Sequence, residues 1–234
     1  MGDLLKILEL FCGTKSISKE FIKSGHNCLT VDNDLIHKPD IFCNILDFDI
    51  SMIPKEFKDL DVIWASPPCT TFSVASIRIY WKNGKPKSYK TYIGLAIVKK
   101  TIEIIQALKP RYWFIENPTG MLRKQYIMRK FPRKTLTYCQ YGATVRKSTD
   151  IWTNAIHWIS KKKCHNGDNC HQEAKRGSKL GIQGIGGRGV TNTLCEEGLT
   201  RAQSRAIIPS GLCSEIVKVC ENKTNLIQKS LDLI

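Results

Sequence analysis

Asp61-Val62-Ile63-Trp64-Ala65-Ser66-Pro67-Pro68-Cys69-Thr70-Thr71-Phe72-Ser73 is the stretch on which the fold turns. Its apolar run is short, and Ser66-Pro67-Pro68 stops it at once. A brief continuous apolar run bounded by turn residues is the signature of a buried parallel strand. Upstream, Leu5 to Phe11 reads as another strand, followed by a Gly-containing turn and a helix near Ser16 to Ser24. Cys28-Leu29-Thr30-Val31 is a further strand, ending at Asp32. Downstream, Ile93, Ile97, Thr101, Ile104, Ile105 and Leu108 keep a helical period that Lys109-Pro110 halts. Tyr112-Trp113-Phe114-Ile115-Glu116 is then a near-continuous apolar strand. Strands alternating with helices predict an α/β fold, a doubly wound and mostly parallel sheet with right-handed crossovers.

The pattern changes after Asn154. Residues 161–192 are rich in Lys, Gly, Cys, His and Asn with almost no apolar period, and regular structure resumes near Thr200. The chain therefore divides into one principal domain, 1–154 plus 200–234, and a small irregular insert, 155–199. A length of 234 residues suits that organisation.

Charge points to a partner. Lys and Arg number 36 against 21 Asp and Glu, a formal net charge of +15. Residues 1–80 hold 8 basic and 11 acidic side chains, 81–188 hold 23 and 5, and 189–234 hold 5 of each. One internal segment thus carries the whole excess, which predicts a basic face aimed at a polyanion, most simply nucleic acid. No stretch approaches the roughly 20 apolar residues of a membrane span. Met1 to Lys6 carries no long apolar core behind a basic head, which predicts no secretion signal, and the 10 scattered cysteines read as mostly free thiols. The expectation is a soluble, monomeric, cytoplasmic protein, or a nuclear one in a eukaryotic or viral setting.

In an open α/β sheet the ligand lies beyond the carboxyl ends of the strands. Four such ends carry suggestive residues. Phe11-Cys12-Gly13-Thr14 allows close backbone approach before a helix N-terminus, although Lys15 stands where a G-x-G-x-x-G motif needs its second glycine. Asp32 is placed to accept ribose hydroxyls or, in the plainer reading, to shape a turn. Pro67-Pro68 fixes a rigid loop presenting Cys69, a candidate nucleophile. Glu116 closes a fully apolar strand, where burial would raise its pKa towards that of a neutral-pH acid.

Together these residues resemble the cytosine-5 DNA methyltransferases, especially their short phage- and virus-type members. Leu10-Phe11-Cys12-Gly13, Asp32, Asn44-Ile45-Leu46-Asp47, Pro67-Pro68-Cys69, Glu116-Asn117, Gln140-Tyr141-Gly142 with Arg146-Lys147, Asp150-Ile151-Trp152 and Ile208-Pro209 follow the family's order. The resemblance implies a Rossmann-like S-adenosylmethionine-dependent methyltransferase fold whose small insert, 155–199, recognises the target. It implies S-adenosylmethionine bound by Phe11, Cys12, Gly13, Thr14, Asp32, Asp47, Ser66 and Pro67. It implies catalysis by Cys69, Glu116 and Arg146: the thiolate adds to carbon 6 of a flipped cytosine, Glu116 serves N3, and Arg146 contacts the cytosine carbonyl or steadies the loop. DNA is the implied partner, held by Lys82, Lys85 and Lys87 in one loop and Lys161, Lys162 and Lys163 in the insert. Thr70, Pro118, Lys15 and Ala206 depart from the family pattern.

Two rival readings stand beside this one. An amino-group (N4 or N6) methyltransferase would also use Ser66-Pro67-Pro68, but with an aromatic residue where Cys69 stands. A catalytically inactive DNA-binding relative would have no use for Cys69 and Glu116 together. Cys164, Cys170 and His171 could ligate zinc, but their spacing matches no standard zinc knuckle, and the sequence favours ordinary loop residues over a metal. So small an insert places few contacts on base edges, which predicts a short or degenerate target site.

Overall fold

The structure, a computed structural model, describes residues 3–165, 167–171 and 201–222. Its centre is a seven-stranded sheet built from β1 (Lys6–Leu10), β2 (Asn27–Asp32), β3 (Ile41–Phe42), β4 (Val62–Ala65), β7 (Tyr112–Pro118), β8 (Arg133–Thr137) and β9 (Ser148–Thr153). β5 (Trp81–Lys82) and β6 (Lys85–Pro86) form a separate hairpin. The sheet order is β3-β2-β1-β4-β7-β9-β8. β3 through β7 pair in parallel, and β9 runs antiparallel to both β7 and β8. The α/β, mostly parallel class expected from the sequence is the one observed.

The parallel strands are apolar throughout because both faces are covered. Val62 and Trp64 join a cluster with Ile17 and Phe21 of α1 (Ser16–Lys23) and Leu212 and Ile216 of α6 (Ser210–Glu221). Their alternates, Ile63 and Ala65, join Val98, Ile104 and Ile105 of α3 (Tyr89–Leu108) on the other face. β7 divides likewise, Tyr112 and Phe114 to one side and Trp113 and Ile115 to the other. Period-2 side-chain alternation, applied to strands buried on both faces, is what winds helices onto each side of the sheet.

Three short α-helices, α2 (Ile77–Tyr80), α4 (Tyr126–Arg129) and α5 (Arg201–Ala206), and several 3₁₀ turns link these elements. The basic segment 82–87, expected as a loop, is the β5–β6 hairpin. Asn83 (φ 51°) and Gly84 (φ 76°) supply the paired positive φ angles of a two-residue hairpin turn. The antiparallel end of the sheet is held by Asp150, which is fully buried and accepts from Arg123 Nε at 2.8 Å and Thr135 Oγ1 at 2.7 Å. Among the described residues, no helix is long and apolar enough to cross a membrane.

Candidate active site

Strand register brings the candidate residues to one edge. Leu10 of β1 pairs with Ala65 of β4, and Ala65 pairs with Ile115 of β7. The segments that leave these three positions, Phe11-Cys12-Gly13, Ser66 to Cys69, and Glu116-Asn117, therefore emerge side by side. β2 and β3 end beside them, carrying Asp32 and the turn to Asp47.

The first turn is tightly wound. Phe11, Gly13 and Lys15 all have positive φ (59°, 47° and 55°), a conformation that favours glycine. Asp32 braces it: Oδ2 accepts from the Gly13 N–H at 2.9 Å, and Oδ1 accepts from Asp34 N–H at 3.0 Å. A Cβ built on Gly13 would meet only the Phe11 carbonyl within 4 Å, so this backbone is open to a ligand. Cys12 is buried, and desolvation first, then Asp32, pushes its thiol up to about 12. Asp47 is exposed, its N–H bonded to the Asn44 carbonyl at 2.8 Å. The C-terminal segment returns here as well, because Ile208 N–H donates to Ser16 Oγ at 3.2 Å.

Glu9, one residue before Leu10, was not anticipated. It is 2% exposed, and its Oε2 accepts from Ser18 N–H at 2.9 Å and from the Ser18 hydroxyl. The carboxyl thus caps α1 from inside the sheet. Burial raises its pKa to about 7, against the lowering effect of the Ser18 bonds. The available signal was a charged residue interrupting Leu8-Glu9-Leu10, in a strand otherwise apolar.

The second segment is a supported loop. Pro67 is buried, whereas Pro68, Cys69 and Thr70 are exposed. Phe72 and Ser73 N–H groups both donate to the Cys69 carbonyl at 3.0 Å. Trp81 Nε1–H donates to the Thr71 carbonyl at 2.6 Å, tying the loop to the basic hairpin. Met121 N–H donates to the Phe72 carbonyl at 2.7 Å. Asn117 Nδ2–H donates to the Pro67 carbonyl at 2.9 Å, which joins this loop directly to the end of β7.

Glu116 is 5% exposed. Its Oε1 accepts from the Tyr138 hydroxyl at 2.8 Å and lies 3.5 Å from Lys147 Nζ. Lys147 also sits 4.4 Å from the Tyr138 ring centroid. Burial, then Glu116, raises the Tyr138 pKa well above its ordinary value, so the phenol stays a donor. Lys147, the neighbour of the sequence-nominated Arg146, is a cation beside Glu116. Arg146 Nη2–H donates to the Cys164 carbonyl at 3.2 Å.

The six candidate phosphate-binding lysines, Lys82, Lys85, Lys87, Lys161, Lys162 and Lys163, are all exposed, in two groups. Lys161 lies against Tyr141, with its N–H donating to the Tyr141 hydroxyl at 2.8 Å. The structure brings the sequence-nominated metal ligands Cys164, Cys170 and His171 together, and adds Cys139, which sequence reading missed. Residues 172–199 of the insert and 223–234 lie outside the described residues.

The family model described as C-5 cytosine-specific DNA methylase matches residues 5–144. A probable DNA (cytosine-5)-methyltransferase of Frog virus 3 is 31% identical over 229 residues, covering 92% of this chain and 100% of its own length. A methyltransferase from Entamoeba histolytica, 12% identical, superposes over 93% of this chain and 98% of its own with a TM-score of 0.53, which shows a shared fold. A putative DNA modification methyltransferase from an Escherichia coli prophage is 15% identical, with a TM-score of 0.48 over 64% of this chain; this chain spans 46% of that longer one.

Proposed function

The chain belongs to the C-5 cytosine-specific DNA methylases, and from that premise we propose that it methylates carbon 5 of cytosine in DNA through a covalent adduct on Cys69. One observation carries the proposal. The Asn117 bond to the Pro67 carbonyl, at 2.9 Å, fastens the loop bearing an exposed thiol to the strand end bearing a buried carboxyl.

Carbon 5 of cytosine is too weak a nucleophile to take a methyl group unaided. Addition of the Cys69 thiolate to carbon 6 moves the ring electrons onto carbon 5. Glu116 hydrogen-bonds or protonates N3, which stabilises that addition. Tyr138 and Lys147 both act on Oε1 of Glu116, holding the carboxyl in position and leaving Oε2 for the base. After methylation, loss of the carbon 5 proton lets the C6–S bond break and restores the Cys69 thiolate. A base inside a duplex cannot meet Cys69 and Glu116 together, so it must flip out.

S-Adenosylmethionine, bound, supplies an electrophilic methyl on sulfonium sulfur. The open backbone at Gly13, with Phe11, Cys12, Thr14, Ser66 and Pro67 around it, Asp32 at the end of β2 and Asp47 in the turn after β3, fits that ligand. Lys82, Lys85 and Lys87 on the β5–β6 hairpin, with Lys161, Lys162 and Lys163 at the start of the 155–199 segment, hold the DNA backbone. That segment reads the target, and residues 1–154 with 200–234 carry out catalysis.

Incubation with duplex DNA and methyl-labelled S-adenosylmethionine, followed by digestion to nucleosides, tests this. The label is expected in 5-methylcytosine. Label in N4-methylcytosine or N6-methyladenine, or in no nucleoside, would overturn the proposal.

A further inference from the structure

Four soft or borderline ligands from two distant parts of the chain meet at one point. Cys139 lies in the 3₁₀ turn Tyr138–Tyr141 that follows β8, and Cys164, Cys170 and His171 lie in the segment after β9. Their ligand atoms all fall within 4.8 Å of one another. Cys139 Sγ is 3.2 Å from Cys164 Sγ and 3.7 Å from Cys170 Sγ. His171 Nδ1 is 3.3 Å from Cys170 Sγ and 3.9 Å from Cys164 Sγ.

These are four of the six edges of a tetrahedron close in size to the one zinc requires. With Zn–S near 2.3 Å and Zn–N near 2.0–2.1 Å, tetrahedral angles put the S···S edges at about 3.8 Å and the S···N edges at about 3.6 Å. The sulfurs are too far apart for a disulfide, which needs about 2.05 Å. Cys139 and Cys164 are buried, and Cys170 and His171 are partly so.

The surroundings fit a bound cation with thiolate ligands. Gln140 Nε2–H donates to Cys170 Sγ at 3.1 Å. Cys164 is fixed by its own N–H donating to Thr137 Oγ1 at 3.1 Å and by the Arg146 guanidinium on its carbonyl. Three thiolates, a neutral histidine and Zn²⁺ carry a net charge of −1, which Arg146 and the adjoining Lys161 to Lys163 offset. Such outer partners orient ligands and tune a metal site.

We propose that Cys139, Cys164, Cys170 and His171 bind one zinc ion in a closed, structural Cys₃His site. The metal clamps the start of the basic segment to the end of β8. Cys139 directly follows Tyr138, the residue that donates to Glu116, so the clamp also steadies the wall of the active site. Four protein ligands leave no open position for catalysis. Binding displaces protons from the thiols, so uptake releases acid and weakens as pH falls. The assignment is independent of the reaction proposed above.

The test is metal content of the full chain, measured by elemental mass spectrometry without DNA or methyl donor. About one zinc per chain is expected, together with thiolate-to-metal charge-transfer absorption and tetrahedral visible bands when cobalt(II) replaces zinc. Cys139→Ser should lower the zinc content several-fold or more. If that variant does not fold, His171→Cys provides the second arm: it should keep one zinc and strengthen the charge-transfer bands. Wild-type protein that takes up no stoichiometric zinc or cobalt would overturn the site, as would full zinc content in Cys139→Ser or a Cys139–Cys164 disulfide found by peptide mapping. Failure here with 5-methylcytosine still formed would remove the metal and leave the reaction standing.

Discussion

Gly120→Ala should disable the enzyme from a position that carries no reactive group. A Cβ built on Gly120 would stand 2.0 Å from the Phe72 carbonyl oxygen and 3.0 Å from its carbon. Real Cβ contacts essentially never fall below 3.0 Å, so the two backbones must separate by about 1 Å. Both are committed: Ser73 and Gly120 form a β-bridge, and Met121 N–H donates to that same Phe72 oxygen. Phe72 and Ser73 in turn donate to the Cys69 carbonyl, so the shift reaches the loop that bears Cys69. A misplacement of about 1 Å costs on the order of 10²-fold in rate. Overpacking of this kind costs about 1–3 kcal/mol, or roughly 2–12 °C in Tm for a chain of this length. Gly94→Ala is the internal control. Its Cβ would meet the Thr71 hydroxyl at 2.7 Å, a side-chain atom that can rotate away, and activity should fall only a few-fold. Labelled methyl transfer to DNA and thermal melting read both variants. Wild-type kcat/KM and Tm in Gly120→Ala would refute the claim that this contact sets the position of Cys69.

Three other outcomes follow from particular contacts. Glu9 has a folded pKa raised from 4.5 to about 7, so between those values the folded chain binds more protons than the unfolded chain, and stability falls as pH rises. Replacing it in Glu9→Gln should therefore stabilise the protein by about 3 kcal/mol at pH 8 relative to the same comparison at pH 4; urea melts giving a pH-independent difference would refute this. Asp150→Asn leaves Arg123 without its buried carboxylate and should cost about 2–3 kcal/mol, a Tm loss of roughly 4–12 °C, with unchanged melting the contrary result. Neutralising Lys85 and Lys87 together should reduce the slope of log K against log salt by about 1.8 and weaken binding to all DNA sequences alike; an unchanged slope would detach the hairpin from the phosphates.

The half of the fold that surrounds the site was legible because its strands are buried on both faces. Leu5 to Phe11, Val62 to Ala65 and Tyr112 to Ile115 have no reason to be so apolar in any other place. Register then follows from parallel pairing, and it is register that aligns Gly13, Cys69 and Glu116. The antiparallel edge was harder to read: Arg133-Lys134-Thr135-Leu136-Thr137 alternates weakly and reads as surface. The hairpin signal was present in Asn83-Gly84, but its flanking strands are only two residues each, too short for a period. Glu116 was found by its position at a strand end. Its partners Tyr138 and Lys147 were not, because they reach it across strand pairing and a turn that no local pattern specifies. Cys139 was hidden for the opposite reason, since a buried cysteine beside Tyr138 looks like core until the fold folds Cys164 and Cys170 against it.

Covalent capture on DNA whose target cytosines carry fluorine at carbon 5 tests the central claim most directly. Cys69 can add and methyl transfer can follow, but fluorine cannot leave as a proton does, so the C6–S bond persists. The account predicts a denaturation-resistant adduct in the presence of S-adenosylmethionine, with a mass equal to chain plus oligonucleotide plus one methyl group, less the thiol proton. Peptide mapping should place the bond on Cys69, and Cys69→Ser should form no adduct and no 5-methylcytosine. A bond at another cysteine, or 5-methylcytosine made by Cys69→Ser at near wild-type rate, would contradict it.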